Sequence, residues 1–240
     1  MNGEPHPHAS SERHRNVLVV PAINRAMEPE MNALCPQAGP FAVARVPLPS
    51  GNLTRELLPA YAADTLEAVA PFIATAPHLV VHGCTAAGFL GGRDGNARVV
   101  NALRHATGAV VVSTAEAMIE ALRSEAIDEV AVVTPYLPAV NEALAAFLSA
   151  AGIRVETLAS LCCETLDALC AVTEDEVEAL VLRTVTPRSK AVFIGCVALP
   201  TLGITGSLRE RLSIPVWSAV GATGWAVTCA APSWSNRSET

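Results

Sequence analysis

The chain has 240 residues, just over half of them hydrophobic, few charged and very few aromatic, with a formal net charge of -7. That length can bury a substantial core in one large domain or two small ones, and an apolar set dominated by Ala, Val and Leu suits an α/β protein with buried parallel strands. There is no basic run or basic aromatic stripe, so nucleic acid is not an expected partner. No apolar stretch reaches the roughly 18 residues that suggest a membrane span.

The chain opens on MNGEPHPHASSERHRN, which lacks the apolar centre of a secretory signal and reads as a disordered leader. The expected compartment is the cytoplasm, where thiols stay reduced. Eight short apolar runs then follow in order. They are NVLVVPA at 16–22, FAVARVPL at 41–48, HLVVHGC at 78–84, AVVVST at 109–114, EVAVVTP at 129–135, RVETLA at 154–159, AVFIGC at 191–196 and PVWSAV at 215–220. Most are continuous rather than alternating, as strands buried on both faces are.

Between them lie helical segments. One covers 53–74, with Asn52 as a candidate cap and a Pro interruption. AEAMIEALRSE at 115–125 is a second, and VNEALAAFLSAAG at 140–152 ends in Gly152, a natural stop. EDEVEALVLRTV at 174–185 begins with acidic residues that favour a helix N-terminus. Strand and helix alternate, so the expected unit is the parallel, right-handed βαβ crossover.

The two halves echo each other. LVVPAIN at 18–24 lines up with AVVTPYL at 131–137, and the Gly-Cys at 83–84 with that at 195–196, offsets of 113 and 112 residues. A duplicated βα unit would set equivalent strand ends across a cleft. Open α/β sheets bind ligands outside the carboxyl ends of their strands, which is where Cys84 and Cys196 fall.

Both thiols follow a glycine, and both are expected just before a helix or tight loop. There the helix dipole would lower the thiol pKa, and free N–H groups could hold a carboxylate. Five other cysteines remain. Cys35, Cys170 and Cys229 read as small buried apolar residues; Cys162 and Cys163 are adjacent, and with no CxxC zinc is not expected.

Asn24, after the first strand, can orient a carboxylate or cap the next helix. Tyr136, at the equivalent end of the fifth strand, can donate to a carboxylate or close its loop. Ser113, Thr114 and Ser218 add hydroxyls at other strand ends, with Thr114 also a candidate N-cap. His82 shares a strand face with Cys84, though a strand-buried histidine is ordinarily structural. The glycines of GFLGGRDG at 88–95 lack the endings of phosphate-binding loops and suit a flexible loop over a small site.

VVPAINRAMEPEMNAL at 19–34, HGCTAAGFLGG at 82–92, STAEAMIEAL, VAVVTPYLPAVNEALAAFL and IGCVALPTL resemble successive segments of the aspartate/glutamate racemase superfamily, and within it the maleate cis-trans isomerase group most closely. The resemblance spans roughly residues 16–226. It implies two pseudo-symmetric, flavodoxin-like lobes with the site in the cleft between them. The first lobe is expected over 16–114, completed by about 221–232, and the second over 115–220, with 233–240 a loose tail.

The same resemblance implies Cys84 as nucleophile or base and Cys196 as its partner. Asn24 and Tyr136 match carboxylate-holding positions, and Thr85, Val197 and Ala198 complete the anion pockets. The Cys84 thiolate would add to an alkene carbon of a small dicarboxylate, with no metal or organic cofactor, and rotation about the new single bond would precede elimination. A homo-oligomer, dimer or tetramer, is expected.

Two departures stand out. The second cysteine loop reads Cys-Val-Ala-Leu where the family often has Cys-Thr-Asn-Leu, and a carboxylate-binding Asn of maleate isomerases would fall near Leu166-Asp167. Racemisation with two opposed thiols is the alternative activity. Decarboxylation of a substituted malonate is another, although related decarboxylases carry glycine at the first cysteine. A small-acid binding protein is the non-enzymatic alternative.

Overall fold

The computed structural model describes residues 16–48 and 52–235. The leader expected over 1–15 lies outside them. The first half runs β1 (Asn16–Pro21), α1 (Met27–Leu34), β2 (Ala42–Val46), α2 (Leu58–Ile73), β3 (Leu79–His82), α3 (Thr85–Leu90), α4 (Gly92–Thr107) and β4 (Val110–Ser113). After α5 (Thr114–Ser124), the second half runs β5 (Glu129–Thr134), α6 (Pro138–Ser149), β6 (Arg154–Ser160), α7 (Leu166–Cys170), α8 (Glu174–Thr184), β7 (Val192–Ile194), α9 (Leu202–Leu212) and β8 (Val216–Ser218). The long helix α10 (Ala219–Ser235) closes the described chain.

All eight expected strands form, in two parallel four-stranded sheets ordered β2-β1-β3-β4 and β6-β5-β7-β8. The continuous Val/Leu/Ile runs explain this. β1 and β3 are buried along their whole length, which only a strand covered on both faces achieves. Corresponding bonds repeat across the duplication: Gly83 N donates to Val19 O at 2.7 Å and Gly195 N to Val133 O at 2.8 Å. In each sheet the strand order reverses between the first and third strands, so the crevice outside their carboxyl ends is the ligand position of a doubly wound fold.

The halves are tied across that crevice. Glu30 of α1 accepts from Thr201 N (2.7 Å), Thr201 Oγ1 (2.9 Å) and Leu202 N (3.2 Å), capping α9 from the other half. Phe89 of α3 stands edge-on to Tyr136, with centroids 5.7 Å apart. The final helix α10 packs back on α1, α5 and β4.

Several local expectations are corrected. Residues 88–95 are not a flexible loop but the end of α3 and the start of α4. Gly88 is there because a Cβ would fall 2.4 Å from that of Ala115, so the glycine lets α3 cross α5 closely. Asn52 does not cap α2, which starts at Leu58 with Pro59 in its first turn; its amide instead donates to Cys163 O at 3.1 Å in the other half. The expected tail is helical through Ser235, because α10 continues past Pro232; residues 236–240 lie outside the described chain. Cys170 and Cys229 are exposed rather than buried, the first ending the short α7 and the second on the outer side of α10.

Candidate active site

The chain leaves β1, β3, β5 and β7 at the two strand-order reversals, and each exit delivers one expected residue: Asn24, Cys84, Tyr136 and Cys196. All four line one small cavity of about 70 Å³, together with Thr85, Val197 and Ala198. The residues to which the resemblance assigns catalytic or binding roles therefore meet in one place. The rest of the wall is largely apolar, including Ile23, Leu48, Leu53, Leu166 and Leu169. Leu166 occupies the wall where the resemblance would put an asparagine, and Asp167 is not part of it.

Of the two roles open to it, Asn24 takes the one at the helix start, and its amide donates to the chain itself. Its Oδ1 accepts from Met27 N at 2.9 Å, capping α1, and its Nδ2 donates to Val197 O at 3.0 Å across the cleft. Thr85 Oγ1 accepts from Val197 N at 3.3 Å. These two bonds seat the second cysteine loop on the first. The Ser113, Thr114 and Ser218 hydroxyls are spent elsewhere, on Asn96 Oδ1, Thr223 Oγ1 and Gly221 N, and take no part in the cavity.

Gly83 has a steric role. A Cβ there would lie 2.5 Å from Met27 Sδ and 3.0 Å from Val19 O, so only glycine lets the Cys84 loop pass this close to β1 and α1. At Gly195 the nearest atoms are looser, at 3.2 Å and 3.3 Å.

The two thiols are not equivalently set. Cys84 directly precedes α3. Cys196 does not precede a helix: a turn intervenes, Leu199 N donating to Cys196 O at 3.3 Å, and α9 begins only at Leu202, after Pro200. Proline disfavours helical geometry in the residue before it, which delays the helix. Cys196 Sγ is instead the acceptor of Ala198 N at 3.4 Å.

The expectation of lowered thiol pKa values is also corrected. Burial pushes Cys84 above its ordinary value, against the pull of the Tyr61 hydroxyl and the Ala87 and Ala86 N–H groups. Cys196 is pushed up to about 11, chiefly by burial, with Tyr136 and Ala198 opposing. Desolvation outweighs the helix terminus because both sulfurs are almost fully enclosed. Both rest as thiols at neutral pH. His82 is fully buried, neither ring nitrogen has a partner, and burial lowers its pKa to about 4. It lines a separate apolar hollow behind Cys84 rather than the cavity, which fits a structural role.

Sequence reasoning missed three groups. Cys163 lines the cavity, although nothing in its doublet signalled this. Asn52 lines it too, from a position misread as a helix cap. Tyr61 approaches Cys84 from the far side, and only its rarity in a chain of two tyrosines marked it out. Among the described residues no cluster of three His, Cys, Asp or Glu could hold a metal ion, and no helix is long and apolar enough to cross a membrane.

The chain is similar in sequence and fold to known proteins. The chain is 28% identical over 218 residues to a maleate isomerase of Nocardia farcinica, covering 88% of this chain and 87% of that protein. It is 31% identical over 148 residues to an arylmalonate decarboxylase of Bordetella bronchiseptica, covering 59% of this chain and 60% of that one. A solved structure of a cysteine-to-serine mutant of the Nocardia farcinica maleate cis-trans isomerase, with a covalently bound succinylcysteine intermediate, superposes with a TM-score of 0.81 at 26% identity, covering 91% of each chain. The family model described as arylmalonate decarboxylase matches residues 17–238. With nearly the whole described chain matched, the protein belongs to the arylmalonate decarboxylase family.

Proposed function

We propose that the protein is a cofactor-independent cis-trans isomerase of a small dicarboxylic acid of the maleate type, with Cys84 as nucleophile. The observation that carries this is the meeting of two thiols, from equivalent strand ends, in one small cavity that also holds two amides and two hydroxyls. The succinylcysteine adduct of the Nocardia farcinica relative supports a covalent route.

Cys84 rests as a thiol, so it first loses its proton to solvent, and the thiolate then forms a C–S bond to one alkene carbon. The π pair moves onto the neighbouring carbon and its carboxylate as an enediolate. The former double bond is now single and rotates. The pair then returns, the C–S bond breaks, and the trans acid leaves with the thiolate regenerated, so no proton or electron is consumed overall. Thr85 and Tyr136 supply hydroxyl donors to the enediolate oxygens, Asn24 anchors the wall, and the Val197-Ala198 backbone lines the second anion pocket. The Cys196 thiol faces the carbanionic carbon as hydrogen-bond donor or reversible proton source.

One feature of the cavity favours a second reading. Its wall is apolar where a second carboxylate would sit, with Leu166 and Leu169 in place of polar groups. An arylmalonate would put an aromatic ring against that wall, and loss of carbon dioxide would leave an enediolate that Cys196 protonates. Incubation with maleate, phenylmalonate and aspartate, followed by proton NMR, separates the readings. Fumarate from maleate supports the first. Phenylacetate with inert maleate replaces it with the second, and deuterium exchange at the aspartate α-carbon replaces both with racemisation.

A further inference from the structure

The chain has two tyrosines, and each is set against a different one of the two cavity thiols. Tyr136 faces Cys196 from within the cavity. Tyr61 faces Cys84 from outside it, along the wall of the hollow behind β3. Tyr61 belongs to the buried stripe of α2, with Thr65 and Val69 one and two turns on, and Thr65 Oγ1 donates to Tyr61 O at 2.7 Å. The ring is therefore fixed by its helix.

Its hydroxyl is buried yet makes no regular hydrogen bond. Such a group costs stability and calls for an explanation. A neutral thiol is a weak acceptor, whereas a thiolate is a strong one. A donor aimed at a sulfur, unused while that sulfur is protonated, is preorganised for charge that develops later.

We propose that Tyr61 is the positioning residue of the Cys84 thiolate, donating a hydrogen bond from its hydroxyl to the sulfur whenever the sulfur carries charge, before addition and again on elimination. This rests on Cys84 being the nucleophile, but not on which acid it attacks. The division of labour follows from position. Tyr136 shares the cavity with substrate, so its hydroxyl is open to a carboxylate. Tyr61 does not line the cavity but the hollow beside it, so its hydroxyl is left to the sulfur rather than to substrate. The other groups around the pair are His82 from β3, neutral at working pH, Asp64 on α2, Arg98 on α4 at the hollow, and Tyr136 and Cys196 across the cavity.

The test needs no turnover. Iodoacetamide alkylation of the full chain is followed from pH 6 to 11, with Cys84 and Cys196 quantified separately by peptide mass spectrometry. A hydrogen bond to a charged group shifts the midpoint by about one unit or more. Tyr61→Phe is therefore expected to raise the Cys84 midpoint by about that much, slowing its alkylation about tenfold at neutral pH, while the Cys196 midpoint stays put. Tyr136→Phe should raise Cys196 instead.

A second arm leaves position 61 unsubstituted. Fluorotyrosine is incorporated in the Tyr136→Phe background, where Tyr61 is the remaining tyrosine. Its more acidic phenol should lower the Cys84 midpoint. An unmoved Cys84 midpoint in either arm, or equal shifts of both thiols in Tyr61→Phe, overturns the proposal. A Cys84-specific shift in a protein inert to maleate would instead sink the isomerase reading and leave this one standing.

Discussion

Cys84 and Cys196 end equivalent strands of equivalent sheets, yet the chain surrounds them differently. The first follows His82 and a glycine wedged against Met27, sits directly before α3, and faces a phenol from behind. The second follows Ile194 and a looser glycine, opens into a turn, and faces its phenol inside the cavity. Strand order fixes where a reacting group can stand, because the crevice exists wherever a parallel sheet reverses direction. Loop composition then decides what that group can do. On the proposed reading, one side holds a nucleophile with its own donor, and the other a thiol better suited to giving a proton.

The thiols themselves offer the largest way to break this contrast. Cys84→Ala removes the atom proposed to form the covalent bond and is expected to cut turnover by on the order of 10³-fold or more, with no adduct detectable by intact mass. Cys196→Ala is expected to slow turnover by several orders of magnitude as well, but to leave Cys84 open to alkylation and adduct formation. Near-normal turnover in Cys196→Ala would reduce that residue to cavity wall.

His82 is the next difference, since the matching position in β7 is Ile194. Its folded pKa of about 4 lies below the ordinary 6.5, so the buried ring stays neutral while the unfolded chain takes up a proton. Stability from this group is complete above pH 6.5 and is lost as pH falls toward 4. The 2.5-unit gap corresponds to about 3 kcal/mol. Urea unfolding of the wild type and of His82→Ile between pH 4 and 7 should show this acid loss in the wild type and not in the variant. Glu30, whose carboxyl burial pushes up, acts in the opposite direction but is common to both proteins. Parallel curves would show that His82 does not govern the acid limb.

The glycines before the two cysteines differ by less. Gly83→Ala puts a methyl group into Met27 and the Val19 carbonyl, and overpacking of this kind costs about 1–3 kcal/mol. Gly195→Ala meets only Leu144 and Thr134 side-chain atoms beyond 3 Å and should cost less than about 1 kcal/mol. Denaturant midpoints of the pair measure the asymmetry directly. Equal losses would mean that the two loops approach their sheets equally closely.

Much of this was legible in the residues. Eight apolar runs became eight strands because a parallel strand buried on both faces leaves an unbroken hydrophobic record. The offset between LVVPAIN and AVVTPYL corresponds to the equivalent places of β1 and β5 in the two sheet orders. The two cysteines, Asn24 and Tyr136 converge because strand ends were readable, and strand ends are where this architecture puts ligands.

What stayed hidden depended on distances between segments far apart in the chain. Gly88 reads as freedom in a sequence and acts as a contact surface for Ala115. The thiols read as acidic beside a helix, but enclosure, which no local motif records, reverses the shift. Tyr61 meets Cys84 only because α2 packs back against β1 and α3, and Asn52 reaches Cys163 only because the two halves close on each other.

Leu166 carries the sharpest test of substrate. It opens α7, in the connection after β6 that corresponds to the Asn52-Leu53 segment after β2 in the first half. On that first side the cavity has an amide, while on the second it has hydrocarbon. Leu166→Asn would give the second side an amide of its own. An amide to a carboxylate is worth about 1.5–3 kcal/mol when geometry is good, and a partly exposed wall should return the lower end. The variant is therefore expected to raise kcat/KM for maleate about tenfold and to lower it for phenylmalonate, whose ring would lose an apolar contact. If the wild-type leucine already gives the better maleate enzyme, the apolar wall is part of how this protein holds its acid, and the substrate must carry a hydrocarbon group where maleate carries its second carboxylate.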